Sequence, residues 1–410
     1  MKKILIGVLV LVALVTGSAL YFMKMKTPVY AGNADVQYVM QNITADSRTS
    51  RTIVWQSKGV IPKSYLEYRK VEKGNAVQIE CVSKDFKTDE GSVHKHTVTI
   101  NNLQPNTKYE YRIGDDKNRT NWLAFTTEAE KNDKYKVLIF PDSQCADYNV
   151  WRELSAAAWE RNKDAVFFIN MGDLVDNGEQ YSQWRAWLNA ISGMISTIPA
   201  APIPGNHEYY TLDWRATPAK LYENLFSLPN NGAAGMQNQN YSYDYGDVHY
   251  VVINTQAEEL SAFDANIYAR QAKWLETDLS KTDKKWKIAL LHRSPFDWHA
   301  SDAPNEIGRY FLPIFDKYAV DLVFLAHIHS YSRTVPVKDF VPANKGAVYI
   351  TTGRSGDKVW EGSPKKKFDV VFYNPIDQPN YLTLDVSDKE LYVRAVKQDG
   401  SLIDEVHIEK

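Results

Sequence analysis

The sequence predicts a chain of two parts, an all-β sandwich followed by an α/β four-layer sandwich of two sheets flanked by helices. Its 410 residues exceed the length of a typical single domain. Short runs of β-branched and aromatic residues, separated by turn residues, fill 36–128. After 134 such runs alternate with helical patterns as far as 410. We therefore expect domains at 36–128 and 134–410, joined by a charged linker.

The first part is predicted to consist of strands alone, because its turn residues recur at the spacing of a sandwich. Pro105 marks a corner, after which Tyr109 and Tyr111 point to one face and Glu110 points to the other. The predicted strands are 52–56, 64–69, 77–83, 93–100, 109–113 and 121–126.

The second part is predicted to alternate strands with helices, which is typical of layered α/β architectures. The predicted strands are 136–140, 165–170, 248–254, 287–291 and 322–325, with three antiparallel strands at 381–385, 391–396 and 403–408. The predicted helices are 150–161, 179–191, 266–280 and 307–318.

Residues 1–31 are predicted to form an export segment. Lys2 and Lys3 precede an unbroken apolar run over 4–23. The core of a signal peptide usually has about 7–15 residues, whereas a membrane-spanning helix needs about 20. The run fits an anchor better, yet 17–19 and 29–31 are both acceptable cleavage sites. We expect an extracytoplasmic protein, either secreted or anchored to the membrane by this segment.

Composition restricts the partners of the chain. A net charge of −2 at pH 7 gives no footprint for nucleic acid, and we expect contact with a membrane only through the N-terminal segment. Cys81 and Cys145 are the only cysteines and fall in different predicted domains. We therefore expect two buried, unpaired thiols rather than a disulfide. The oligomeric state stays open.

Five short blocks carry the residues that could hold metal ions. Their side chains offer only oxygen and imidazole, the ligand types that suit iron, manganese or zinc. Two such cations held roughly 3.5–4 Å apart clamp the attacking and the leaving oxygen of a phosphoryl transfer. Most of these residues directly follow predicted buried strands, where sites of α/β sheets gather. The candidate ligands are Asp142, Asp173, Asn206, His292, His327 and His329.

The order of the blocks resembles the calcineurin-like metallophosphoesterase superfamily, and purple acid phosphatases most closely. The blocks are FPDSQ (140–144), MGDLVDNG (171–178), PGNHE (204–208), LLH (290–292) and AHIHSYSR (326–333). The segment 101–115 resembles the end of the fibronectin type III-like domain that precedes the catalytic domain in purple acid phosphatases. The resemblance covers nearly all of the chain after the export segment.

The resemblance implies a role for each candidate ligand. Asp173 would bridge two metal ions, divalent or mixed-valence, and would be essential for catalysis. The first ion would be held by Asp142 and His329, and the second by Asn206, His292 and His327. The expected nucleophile is a hydroxide bound at the metals, because coordination lowers the pKa of water to about 7.

Further residues are candidates for contact with the substrate. The resemblance places His207 and Asn206 at the phosphate, and His207 as imidazolium could bind a phosphoryl oxygen or protonate the leaving alkoxide. Glu208 would orient that ring. His299 is a candidate acid or phosphate contact, and Arg293 is either a phosphate clamp or a solvated surface group. Aromatic residues at 209, 210 and 298 hint at a stacking rim.

Two positions depart from the family pattern. Asp176 stands where purple acid phosphatases have a metal-ligating tyrosine, so a divalent first ion and a colourless protein are expected. Asp176 would ligate that ion, support the site from behind, or cap the following helix near Gly178. Gln144 stands where those enzymes have glycine, and it would either reach the first ion weakly or line the pocket.

The sequence thus predicts an exported dinuclear-metal phosphatase that hydrolyses small phosphate monoesters. A phosphodiesterase with the same metal site is the first alternative, because pocket width decides between them. The second alternative is a surface binding module with an inactive phosphatase domain.

Overall fold

The computed structural model describes residues 35–57, 59, 64–71, 74–131, 134–297 and 303–410. The predicted export segment at 1–31 lies outside these residues, as do Trp298 and His299. Among the helices that are described, none combines the length and the apolar character needed to span a membrane.

The N-terminal part is rich in sheet, as predicted. Four of its strands form a sheet in the order β4-β3-β7-β8, and the other four join a larger sheet. Its strands are β1 (Gln37–Asn42), β2 (Arg51–Ser57), β3 (Tyr65–Lys70), β4 (Val77–Glu80), β5 (Val82–Thr88), β6 (Gly91–Ile100), β7 (Lys108–Gly114) and β8 (Leu123–Thr126).

The single strand predicted at 77–83 is wrong. The chain breaks at Cys81, where β4 ends in the smaller sheet and β5 begins in the larger one. Chains in β sandwiches change sheets at such corners. Because it lies at this corner, Cys81 is only half-buried, whereas Cys145 is buried as expected, and both thiols are free.

The C-terminal part supplies the remaining strands. A ten-stranded sheet has the order β23-β22-β21-β9-β10-β11-β1-β2-β6-β5, and a seven-stranded sheet has the order β12-β13-β14-β15-β19-β16-β20. The strands are β9 (Lys134–Phe140), β10 (Ala165–Asn170), β11 (Ala200–Pro202), β12 (Tyr241–Tyr245), β13 (Val248–Ile253), β14 (Trp286–Leu291), β15 (Leu322–Leu325), β16 (Tyr331–Thr334), β17 (Val337–Lys338), β18 (Val341–Pro342), β19 (Val348–Thr352), β20 (Asp369–Tyr373), β21 (Asn380–Ser387), β22 (Glu390–Lys397) and β23 (Leu402–Glu409).

The helices present apolar stripes to the sheets. In the last helix Ile307, Phe311, Ile314 and Phe315 are buried on one face, and Asn305 caps its start by accepting a hydrogen bond from the Gly308 N–H at 3.1 Å. The helices are α1 (Asn149–Arg161), α2 (Tyr181–Ala190), α3 (Ser192–Ile195), α4 (Lys220–Leu225), α5 (Ala257–Leu260), α6 (Ile267–Leu279) and α7 (Glu306–Lys317). The predicted two-part fold class is confirmed.

The two parts share a sheet rather than meeting only through a linker. Strand β1 pairs antiparallel with β2 and parallel with β11, where Asn42 lies opposite Ala200. Side chains alternate along β1, so Val39 joins the core of the N-terminal sandwich while Met40 joins the large core of the C-terminal part. The N-terminal strands therefore extend one of the two C-terminal sheets.

Parallel pairing brings the candidate site residues to one edge. Strands β9, β10 and β11 run parallel in one sheet, and β13, β14, β15 and β19 run parallel in the other. Within each set the carboxyl ends of the strands face the same way. Loops that follow these strands can therefore meet although they are far apart in the sequence.

A buried glutamate lies where the N-terminal part joins the rest. The Glu128 side chain accepts a hydrogen bond from the Gly246 N–H of the β12–β13 turn and is 5% exposed. Burial raises the pKa of Glu128 to about 7, although the Gly246 bond and the charge of Arg48 oppose that shift. Because the folded protein holds this proton more tightly than the unfolded chain, the group stabilises the fold at low pH and loses that contribution between about pH 4.5 and 7.

We predict that Glu128→Gln flattens the pH dependence of stability in this window. Glutamine keeps an acceptor for Gly246 and cannot ionise, so the variant should gain about 3 kcal/mol over the wild type between pH 4.5 and 8. Urea denaturation at several pH values measures the difference. Parallel curves for the two proteins would show that Glu128 does not titrate in this way.

Candidate metal centre

The structure brings the predicted ligands together at the facing edges of the two sheets. Asp142, Asp173 and Asn206 come from loops that follow β9, β10 and β11 in the ten-stranded sheet. His292 follows β14, and the His327/His329 pair follows β15, in the seven-stranded sheet. All of them are buried except His327, which is partly exposed.

These side chains form two groups that share one carboxylate. Ligand atoms of Asp173, His292 and His327 lie within 4.8 Å of one another, and so do those of Asp142, Asp173 and His329. Asn206 belongs to the first group, since its Oδ1 is 3.2 Å from His292 Nε2. The grouping has the form that a bridging Asp173 requires, while the assignment of single ligands to each ion stays a prediction.

The histidine rings are oriented so that nitrogen lone pairs point into the centre. His292 Nδ1 lies 2.8 Å from the carbonyl oxygen of Met171, and His329 Nδ1 lies 2.9 Å from that of Lys358. Each Nδ1 therefore donates a proton and leaves Nε2 as a ligand atom. The buried Nδ1 of His327 has no hydrogen-bond partner among the described residues. This donor set fits two cations.

Electrostatics also favour positive charge at the centre. Burial alone would lower the pKa of His292, but the charges of Asp173 and Asp142 raise it to about 9. Burial would raise the pKa of Asp173, yet His292 and His207 hold it well below its ordinary value. His327 has its pKa lowered by burial and by the neighbouring His292. Two buried carboxylates thus dominate the field of the pocket.

The backbone at the centre is held in unfavourable conformations. Asp173, His327 and His329 have φ angles of 48°, 72° and 58°, in the left-handed region that side chains other than glycine rarely adopt. Such outliers gather at functional sites because the surrounding structure imposes them. A Cβ atom at Gly205 would lie 2.2 Å from Asp173 Oδ1, so only glycine fits beside the shared carboxylate.

The sequence suggested that Glu208 orients the His207 ring, and this prediction is wrong. Glu208 instead holds the metal-binding loops. Its buried carboxylate accepts hydrogen bonds from the backbone N–H groups of Asp173 at 2.9 Å, Leu174 at 2.8 Å and Gly205 at 2.7 Å. Since every partner is a donor, an acceptor-only group is needed here. Glu208 thereby fixes the left-handed turn that presents Asp173.

His207 lies beside the centre and is held at two points. Its backbone N–H donates to Asp173 Oδ1 at 2.9 Å, and its Nδ1 lies 2.6 Å from the carbonyl oxygen of Asp176. Its Nε2 has no hydrogen-bond partner among the described residues. The imidazole can therefore meet a substrate through Nε2 while Nδ1 keeps the ring in place.

The two positions that depart from the family pattern have clear contacts. Asp176 forms an ion pair with Lys358 and does not cap α2, whose N-cap residue is Gln180. The helix-capping alternative is therefore wrong. Gln144 Nε2 lies 3.1 Å from His329 Nε2, so this amide lines the pocket at the group formed by Asp142, Asp173 and His329.

Arg293 is already engaged by two carboxylates. It forms ion pairs with Glu258 at 2.8 Å and Glu259 at 2.6 Å. These bonds neutralise much of its charge but use only two of its five N–H donors, and its buried Nε has no hydrogen-bond partner among the described residues. Arg293 and His327 line a cavity of about 660 Å³ next to the centre. The role predicted for His299 concerns a residue outside the described part of the chain.

The prediction that Tyr209 belongs to an aromatic rim of the pocket is wrong. Tyr209 is fully buried, and its hydroxyl donates to Gln239 at 2.7 Å. Tyr210 does lie beside His207, with ring centroids 5.9 Å apart.

Sequence reasoning missed two tryptophans and a lysine at the centre. The Trp360 ring lies 5.5 Å from that of His327 and 5.3 Å from that of His329, and Trp214 lies 5.8 Å from His207. Lys358 contributes both its ammonium group and its carbonyl oxygen. None of these residues falls in a recognisable block, although Trp214 follows the GNHE block closely enough to have been considered.

Comparison with known proteins agrees with this geometry. Residues 135–331 match the calcineurin-like phosphoesterase family, and residues 36–127 match the purple acid phosphatase N-terminal domain. Purple acid phosphatase 23 of Arabidopsis thaliana is 26% identical over 359 residues, which are 76% of this chain and 75% of the relative. A protein named probable inactive purple acid phosphatase 24, also from Arabidopsis thaliana, is 27% identical over 64% of this chain and 48% of its own length.

A solved structure is also similar in fold. The structure of a purple acid phosphatase isolated from yellow lupin (Lupinus luteus) seeds superposes with a TM-score of 0.78 at 20% identity, covering 92% of this chain and 74% of that one.

Fold, site and matches together define a metallophosphoesterase, a hydrolase of phosphoric esters with a dinuclear metal site. Within that class, the chain has a calcineurin-like phosphoesterase domain preceded by a purple acid phosphatase N-terminal domain, which is the two-part build of the purple acid phosphatases.

We predict that Glu208→Gln weakens metal binding about 10- to 100-fold, the loss typical when support behind metal ligands is removed. The glutamine NH₂ group would face backbone N–H donors, so the Asp173 turn should loosen. Metal content after reconstitution and dialysis measures the effect. Glu128→Gln, which changes an equally buried glutamate at the domain junction, is the control. Equal metal retention in the two variants would contradict the role given to Glu208.

Proposed function

We propose that this protein is an exported phosphatase that hydrolyses small phosphate monoesters at a pair of metal ions. The observation that carries the proposal is the buried carboxylate of Asp173, which belongs to both groups of ligand atoms. A shared carboxylate sets two cations close enough to act on one phosphoryl group. The net charge of −2 gives no reason to expect a nucleic-acid substrate, and export would depend on residues 1–31.

The bound cations would supply the nucleophile and charge compensation, because a coordinated water ionises near neutral pH. Oxygen and imidazole ligands suit iron, manganese or zinc. Asp176 is paired with Lys358 in place of a tyrosine ligand, which supports a divalent first ion. The chain's own part is to hold Asp142, Asp173 and the histidines in fixed orientations.

His207 is proposed to act on the leaving side of the ester. Its Nδ1 is fixed by the Asp176 carbonyl and its backbone by Asp173, so Nε2 faces the site at a set position. As imidazolium it would donate a proton to the departing alkoxide oxygen.

A phosphodiesterase is the second candidate, and the cavity beside His327 favours it. The volume of about 660 Å³ gives room for a second ester group. An inactive binding module is the third candidate, but all six predicted ligands are present, and such a module would not need them.

A leaving-group screen tests the proposal. The metal-reconstituted full chain is assayed with alkyl and aryl phosphate monoesters and with matched diesters, and metal content is measured on the same sample. Preference for monoesters is expected. Preference for diesters would select the phosphodiesterase, and inactivity of a fully metal-loaded protein would select the binding module.

We predict that Asp173→Asn lowers turnover at least about 10³-fold, since the ions lose their shared charged ligand. Asparagine tolerates the left-handed backbone as well as aspartate does, so the fold should be kept. Circular dichroism and thermal unfolding verify the fold while kcat and metal content are measured. Substantial hydrolysis by a folded variant would remove Asp173 from the bridging role.

We predict that His207→Ala harms esters with poor leaving groups more than activated aryl esters. A general acid contributes about 10²–10⁴-fold, and activated leaving groups do not need the proton. The slope of log kcat/KM against leaving-group pKa should therefore steepen in the variant. A uniform loss across leaving groups would mean that His207 binds phosphate without donating a proton.

A further inference from the structure

We propose that Trp214 forms a leaving-group subsite beside His207, on which a flat unsaturated group such as a nucleobase or an aryl ring stacks. The proposal rests on the proposed phosphatase function and narrows its substrate class to esters whose alcohol part carries such a ring.

Trp214 is exposed where large aromatic residues of this chain are usually buried. Its relative exposure is 52%, whereas Trp55, Trp151, Trp184 and Trp187 have none. An exposed apolar side chain is common on its own. Trp214 differs from a typical exposed side chain because it lies next to the candidate metal centre.

The indole lies against the proposed proton donor. Its ring centroid is 5.8 Å from that of His207 with the planes at 87°, and 5.9 Å from that of Tyr210. The backbone N–H of His207 in turn donates a hydrogen bond to the shared carboxylate of Asp173. A leaving group that departs towards His207 would therefore pass next to the indole.

The chain holds Trp214 there at a conformational cost. Its φ angle is 62°, which a bulky side chain rarely adopts. The Trp214 N–H donates to the Thr211 carbonyl at 2.8 Å, and the Thr211 N–H donates to the Arg215 carbonyl at 2.9 Å. Asn177, in the loop that carries Asp173, donates to the Thr211 carbonyl at 2.8 Å. The turn is thereby tied to the metal-binding loop.

Packing alone does not explain this arrangement. A tryptophan that only supported His207 would bury most of its surface, yet about half of this indole remains exposed. Tyr210 lies next to it and is itself fixed, since its hydroxyl donates to Glu259 at 2.9 Å. The uncharged indole thus offers a surface for stacking rather than for ion pairing.

The test compares adenosine 5′-monophosphate with ribose 5-phosphate, which share the reacting ester and differ in the base. Trp214→Asn is the informative variant, because asparagine keeps the left-handed turn and removes the ring. Because stacking on one aromatic side chain is lost, kcat/KM for the nucleotide should fall about 10-fold, mainly through a higher KM. The kcat/KM for ribose 5-phosphate should change less than about 2-fold in the same variant. Trp214→Phe should keep most of the preference.

Leu212→Ala is the matched control, because Leu212 lies in the same turn and is 53% exposed; it should leave both substrates unchanged. An equal loss for both substrates in Trp214→Asn would reduce Trp214 to a support for His207, and no loss would leave it without a role in binding, so either result overturns the proposal. If the metal-loaded wild type hydrolyses neither ester, the phosphatase function itself fails and the subsite with it.

Discussion

The centre depends on keeping the carboxylate of Asp173 buried at a fixed point between two groups of ligands. Burying a charge is costly unless it is compensated. Here the His207 N–H and the nearby His292 compensate Asp173, while Glu208 fastens the turn that carries it. The left-handed backbone at Asp173, the glycine at 205 and the buried glutamate are all consequences of placing one carboxylate where two cations can share it.

The two sheets divide the ligands between them. Asp142, Asp173 and Asn206 follow strands of one sheet, whereas the three histidines follow strands of the other. The distance between the two metal ions would therefore depend on how the two sheets pack. The N-terminal strands contribute to this packing through β1, because β1 pairs with β11 and the loop that carries Asn206 follows β11. The sandwich thus buttresses one wall of the site as well as forming its own core.

Sequence reasoning reached the two-part fold and the residues that gather in one pocket, because both leave local patterns. Ligand blocks sit directly after buried strands, and strand ends meet at a sheet edge whatever the loop lengths. It failed where contacts between distant parts of the chain determine strand pairing or the orientation of a side chain. β1 needs β11 as a partner, the break at Cys81 depends on two competing sheets, and Glu208 turned towards backbone donors rather than the neighbouring ring. Lys358 and Trp360 reach the centre from a loop without a pattern.

The cationic side chains around the centre are already committed to carboxylates. Arg293 is bonded to Glu258 and Glu259, and Lys358 to Asp176. A phosphoryl group that enters would share these cations with carboxylates that already neutralise much of their charge. Its negative charge must therefore be met mainly by bound cations and by His207. This places the burden of binding on the residues that hold the ions, and leaves recognition of the alcohol part to uncharged surfaces at the rim.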